Sequence, residues 1–137
     1  MRPLRLLVIA AALLPALAPA MAASDEDTIT RWFGLLVAAN EDGLGELLSD
    51  DAIIKIEDLG VIRSKTEFLG TMSEWRIAIA GGGIRHKVEK SQGGVTTVLA
   101  CYDFADNDIL QRETFRIADG KITENTQARV ADDCSAY

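Results

Sequence analysis

The sequence predicts an α+β fold, a cone-shaped, curved antiparallel sheet wrapped around three N-terminal helices. Three observations carry this expectation. Apolar residues in the first half recur at helical spacing, those in the second half alternate with polar ones, and Gly- and Asp-rich turn signals separate the second-half runs. Helices and strands segregated along a chain give a sheet with a face to cover and helices to cover it.

The 137 residues suit one domain. Arg2 and Arg5 form a short basic start, Leu6 to Leu17 is almost wholly apolar, and Ala20-Met21-Ala22 supplies small residues around a cleavable bond. This is the layout of a secretory signal peptide. Residues 1–22 are expected to be removed, leaving residues 23–137 as a single periplasmic or secreted domain. The apolar run is shorter than the roughly 20 residues of a membrane span, so no membrane partner is expected after cleavage. The formal charge is −7, and losing Arg2 and Arg5 makes the mature part more acidic still. Such a surface repels phosphate backbones, so no nucleic-acid partner is expected.

Ser24 opens the first helix as a cap, with Asp27 in the position that completes a weak capping box. Ile29, Trp32, Phe33 and Leu36 form its apolar stripe. A short second helix over Asp42 to Leu48 ends at Ser49-Asp50-Asp51. Ala52 to Glu57 reads as a strand, turned by Asp58-Leu59-Gly60 and returning at Val61-Ile62. Ser64-Lys65-Thr66-Glu67 is a full capping box, and it predicts a third helix with Phe68, Leu69, Met72, Trp75 and Ile79 on one face. Gly81-Gly82-Gly83 ends that helix. Four strands follow as a meander: Ile84 to Glu89, Val95 to Phe104, Ile109 to Ile117, and Ile122 to Val130. The last two flank Ala118-Asp119-Gly120-Lys121, a hairpin signal.

Glu113 is in phase with Phe115 and Ile117, which places a carboxyl on an apolar face. If it faces a helix–sheet cavity, desolvation raises its pKa and the neutral acid donates to a ligand. The alternatives are a pairing with Arg or Lys, or a wet position at the sheet rim. His86 is in phase with Ile84 and Val88, so it is either a proton-transfer partner for Glu113 or a hydrogen-bonded core or edge residue. Asp103, in phase with Cys101 and Leu99, reaches either the cavity mouth or solvent. Thr96, Val98, Ala100 and Tyr102 are then read as the outer face. An oxidising compartment permits a disulfide between Cys101 and Cys134, and geometry decides whether it forms. That bond would pin residues 131–137 onto the sheet. One histidine and two distant cysteines do not match zinc-ligand spacing, so neither metal nor cofactor is expected.

The stretch "LLSDDAIIKIEDLGVIRSKTEF", followed later by "FRIADGKITEN", resembles the nuclear transport factor 2-like superfamily, over nearly all of residues 24–130. Its members include ketosteroid isomerases, scytalone dehydratase, limonene epoxide hydrolase and SnoaL-like polyketide cyclases. The resemblance implies a single SnoaL-like, ketosteroid isomerase-like domain and a homodimer paired sheet to sheet. It sets Trp32 where the isomerases hold an oxyanion-binding tyrosine, Ile56 where they hold the aspartate base, and Glu113 where they hold a protonated acid. Ile56 cannot take a proton. Glu57 and Asp58 stand beside it, but one step along a strand turns a side chain to the other face.

Three functions stay open. The favoured one is an exported module that binds a small, partly apolar molecule without turnover, with Trp32, Trp75, His86, Glu113 and Phe115 around the ligand. The second is an isomerase, dehydratase or cyclase in which His86 and Glu113 move a proton. The third is a dimeric interaction scaffold. Whether the protein is an enzyme is left undecided by the sequence.

Overall fold

The computed structural model describes residues 23–137; the expected signal peptide lies outside them. Helices α1 (Asp25–Val37) and α2 (Glu41–Leu47) lead into strand β1 (Leu48–Ile56), a single 3-10 turn (Glu57–Leu59) and strand β2 (Val61–Ser64). Helices α3 (Lys65–Leu69) and α4 (Met72–Ile79) follow. Strands β3 (Gly83–Gln92), β4 (Val95–Asp103), β5 (Asp108–Ala118) and β6 (Lys121–Ala131) complete the fold.

Both expected capping boxes are present. Ser24 and Ser64 each accept from the backbone N–H three residues on, while Asp27 and Glu67 reach back to the cap N–H. The expected third helix is two. Gly70 closes α3, and the Thr71 hydroxyl donates to the Phe68 carbonyl at 2.7 Å, taking an acceptor that a continuous helix would use. The apolar spacing persists across the break, which is why the sequence reads as one helix.

The sheet order is β2-β1-β6-β5-β4-β3. The meander is antiparallel as expected, but β1 joins β6 in parallel, so the sheet is mixed. Ser49-Asp50-Asp51 follows the end of the second helix, as expected, and belongs to β1, where the register against β6 shifts. At the β5–β6 hairpin both Asp119 (φ 53) and Gly120 (φ 73) are left-handed, the two-residue turn that matches strand twist.

Ile29, Trp32, Phe33 and Leu36 of α1 pack onto the concave face, against Ile54, Val98, Ala100, Tyr102 and Phe115. The expected outer set on β4 is therefore corrected: Val98, Ala100 and Tyr102 point into the core. Thr96 to Tyr102 is buried without exception and its threonines, Thr96 and Thr97, fall one in each phase, so neither phase is marked as facing out, and a one-residue shift inverts every side chain. Leu99, Cys101 and Leu110 form a second apolar cluster on the convex face, covered by Cys134 and Tyr137. Cys101 and Cys134 are disulfide-bonded, with Cα atoms 5.8 Å apart. Tyr137 lies under Arg85 and Lys87, at 4.8 and 4.5 Å from its ring centre. Asp103 is on this convex side, 3.0 Å from Arg85, and not at a cavity mouth. Asp108 joins Asp103 near the two sulfurs. With the sulfurs bonded to each other, only the two carboxylates remain as ligands.

Candidate functional site

Glu113 is fully buried on β5, opposite Val98 of β4 and Gln127 of β6. Among the described residues its carboxyl meets no Arg or Lys, and it lies at no open rim. The Tyr102 hydroxyl donates to one oxygen and the Asn125 amide to the other, the latter at 3.0 Å. Asn125 in turn accepts from the Gln127 amide at 2.8 Å. Burial pushes the Glu113 pKa up to about 7, against the opposing pull of Tyr102, Asn125 and Trp32. Trp32 is close enough to favour the ionised form, yet its indole N–H has no hydrogen-bond partner of ordinary geometry. Burial, then the negative charge of Glu113, pushes the Tyr102 hydroxyl well above its usual range.

Beside this network lies a cavity of about 160 Å³. Leu36, Phe68 and Trp75 from the helices, and Ile56, Tyr102 and Phe104 from the sheet side, give it an apolar and aromatic wall. Arg63, Thr71, Gln111 and Gln127 are polar positions on the same wall. Of the residues expected around a ligand, Trp75 lines the cavity, and its indole N–H donates to the Leu36 carbonyl at 2.7 Å. Trp32 and Phe115 are core residues behind the wall, Trp32 stacked on Phe68 at 5.4 Å and edge-on to Phe115 at 6.3 Å. Glu113 touches the cavity only through Tyr102 and the Asn125–Gln127 pair.

His86 stands apart. Its ring stacks on Phe33 at 4.6 Å, and Nε2 lies 3.3 Å from the Thr30 hydroxyl. Partial burial lowers its pKa from the ordinary 6.5. Strand β4 separates it from Glu113, and it pairs with Ala100 rather than with Val98. At about 4.8 Å per strand, the two backbones are about 10 Å apart across the sheet. Of the two alternatives for His86, the structure gives the hydrogen-bonded residue and not the proton-transfer pair with Glu113. Ile56 does reach the cavity, and its neighbours do not replace it. Glu57 and Asp58 are exposed in the 3-10 turn, and Asp58 accepts from the Arg129 backbone at 2.7 Å.

Sequence reasoning missed Tyr102, Asn125, Gln127, Gln111 and Arg63. Asn125 and Gln127 were legible in principle: they alternate in phase on β6, opposite Phe115 and Glu113. Tyr102 was hidden by the unmarked phase of β4. Arg63 lies on a strand of four residues, too short for alternation to declare a face.

No protein-family model and no curated protein matches the chain. Solved structures do. A nuclear transport factor 2-like protein of unknown function from Burkholderia xenovorans is similar at 15% identity and a TM-score of 0.64, over 80% of this chain and 83% of that one. A Catenulispora acidiphila protein with a ketosteroid isomerase-like fold, in complex with trimethylamine, matches at 15% identity and 0.59, over 74% and 83%. An epoxide hydrolase of Mycobacterium tuberculosis, similar to limonene epoxide hydrolase, matches at 15% and 0.57, over 75% and 80%. At such identities the likeness concerns architecture and not activity. The curved mixed sheet, its helical cover and these neighbours together give the chain the fold of the nuclear transport factor 2-like superfamily.

Proposed function

We propose that the protein is an exported small-molecule-binding domain that does not carry out ketosteroid-type turnover. One observation carries this reading. The cavity wall offers a ligand aromatic and alkyl surface, with Ile56 where a carbon-acid isomerase would hold its base, while the one fully buried carboxyl among the described residues is sealed behind Tyr102. An alkyl group cannot accept a proton, and a general base must come within hydrogen-bond reach of the proton it removes. His86 does not fill the gap, because its ring is committed to Phe33 and Thr30 on another part of the sheet.

The Tyr102–Glu113 contact supports a second reading. In it, an isomerase- or dehydratase-type enzyme passes a proton between ligand and carboxyl through the Tyr102 hydroxyl. Export is supported by the Cys101–Cys134 disulfide, which persists in oxidising compartments. Pairing of two copies is supported by Ile53 and Ile62, 40% and 67% exposed on neighbouring strands at one end of the sheet.

Assayed with a 5-ene-3-ketosteroid, the wild-type protein is expected to give no isomerisation above the buffer rate, and Glu113→Gln to leave that result unchanged. Turnover by the wild type that disappears in Glu113→Gln overturns the reading in favour of the enzyme. Native mass spectrometry of protein taken from its own compartment is expected to show a small molecule and a second subunit travelling with the chain. A bare monomer removes both.

A further inference from the structure

The polar groups on the cavity wall divide into two sets. Four are already engaged by the protein. The Thr71 hydroxyl donates to Phe68, the Trp75 indole to Leu36, the Tyr102 hydroxyl to Glu113 and the Gln127 amide to Asn125. Two are not. The Gln111 side-chain oxygen is buried with no hydrogen-bond partner. Arg63, half-buried on the inward side of β2 opposite Ile54, makes no ion pair or side-chain hydrogen bond among the described residues. Glu74 shares an outer recess with Arg63 but lies beyond ion-pair distance.

A buried acceptor without a donor costs its full desolvation penalty; the Gln111 oxygen has no surface open to the cavity, so a ligand donor recovers that cost by drawing the side-chain amide round toward itself. An unpaired guanidinium beside an apolar hollow selects a planar anion, above all a carboxylate, by two parallel hydrogen bonds. Arg63 and Gln111 come from β2 and β5, three positions apart in the sheet order, so they address opposite ends of a bound molecule. The volume sets the body between them. Drug-sized ligands occupy roughly 300–1,000 Å³, whereas a cavity of about 150 Å³ holds one benzene ring. The 160 Å³ here, open on one side, therefore seats a single ring between its walls and leaves the rest of any fused polycycle outside them.

We propose that the cavity binds a single-ring aromatic carboxylate carrying a hydroxyl or amino group, its carboxylate on Arg63, its ring against Trp75, Phe68 and Phe104, and its donor on Gln111. The assignment rests on the small-molecule-binding reading and narrows it to a chemical class. The acidity of the chain as a whole slows the approach of an anion but is screened beyond about 8–10 Å at physiological salt. At contact the Arg63 charge dominates.

Isothermal titration calorimetry of the purified protein with four probes tests this: 4-hydroxybenzoate, benzoate, 4-hydroxybenzyl alcohol and phenol. 4-Hydroxybenzoate is expected to bind roughly tenfold or more tightly than either benzoate or the neutral alcohol. Arg63→Gln should erase the advantage over the alcohol and leave phenol binding unchanged. Gln111→Leu should erase the advantage over benzoate. Arg63 has no protein partner to lose, and circular dichroism checks that each variant is folded. If phenol and the alcohol bind as well as the acid, or if Arg63→Gln leaves the acid unaffected, the carboxylate assignment is wrong while the binding function stands. If none of the four binds, both fall.

Discussion

Glu113 is a titratable group with no charged partner, and this makes the molecule's stability a function of pH. Its pKa rises from 4.5 to about 7 on folding, chiefly because burial disfavours the carboxylate. Below pH 4.5 both folded and unfolded chains are protonated at this site, and the neutral acid adds no cost. Between 4.5 and 7 the unfolded chain ionises first, so stability falls as pH rises; above 7 the loss is complete. Linkage puts the Glu113 contribution to this loss between pH 5 and pH 8 at roughly 2–3 kcal/mol, while His86, whose pKa burial lowers, works in the opposite direction. Glu113→Gln keeps an acceptor for Asn125 and a donor toward Tyr102, so it is expected to fold and to lack this slope. Urea denaturation of both proteins at the two pH values checks it, and equal slopes would place the proton elsewhere. The inward direction of Glu113 was legible from its phase with Phe115 and Ile117. Its partners were not, since a hydrogen bond from Tyr102 depends on the β4–β5 register and not on any spacing within one strand.

At the level of elements, legibility followed the contrast between faces. Strand β5 buries Glu113 and Phe115 between more exposed neighbours, and the extents of β5 and β6 come within a residue of the expected ones. Strand β4 is buried on both faces because the C-terminal tail covers the convex side, so its sequence carried no polarity from which to choose a phase. The turn between α4 and β3 shows the same dependence on packing. Of three consecutive glycines, Gly82 is the one that touches: a Cβ there would overlap the carbonyl oxygen of Asp103, while at Gly83 it would meet open space. Gly82→Ala is therefore expected to destabilise the fold by roughly 1–3 kcal/mol, and Gly83→Ala to stay within about 0.5 kcal/mol. Chemical denaturation of the pair reads the difference, and equal effects would mean that the α4–β3 turn yields without cost.

For the whole molecule, the Cys101–Cys134 bond closes a loop between residues 33 apart in sequence and fixes the tail over Leu99 and Leu110. A loop of that length corresponds to roughly 3–4 kcal/mol in the chain-entropy view. Cys134→Ser is expected to lower stability by about that amount under oxidising conditions, and a reducing agent to lower the wild type to the same level. A variant as stable as the oxidised wild type would assign the tail's attachment to Tyr137 and its two cationic neighbours instead. The cavity should survive either change, since it lies on the concave face and the bond on the convex one.

Among the described residues strand β1 pairs with its hairpin partner and with β6, the strand that comes latest in the described chain. A ribosome releases a polypeptide from its N-terminal end, so the helices and the first hairpin emerge with nothing to close against. Ile56 and Gln127, register partners on the sheet wall of the hollow, come together only once β6 has been made. Capture of a ligand is thus a property of the finished molecule, and no growing fragment can be held folded by it. The late-arriving strand leaves every shorter fragment without the pairing that completes the sheet around the hollow.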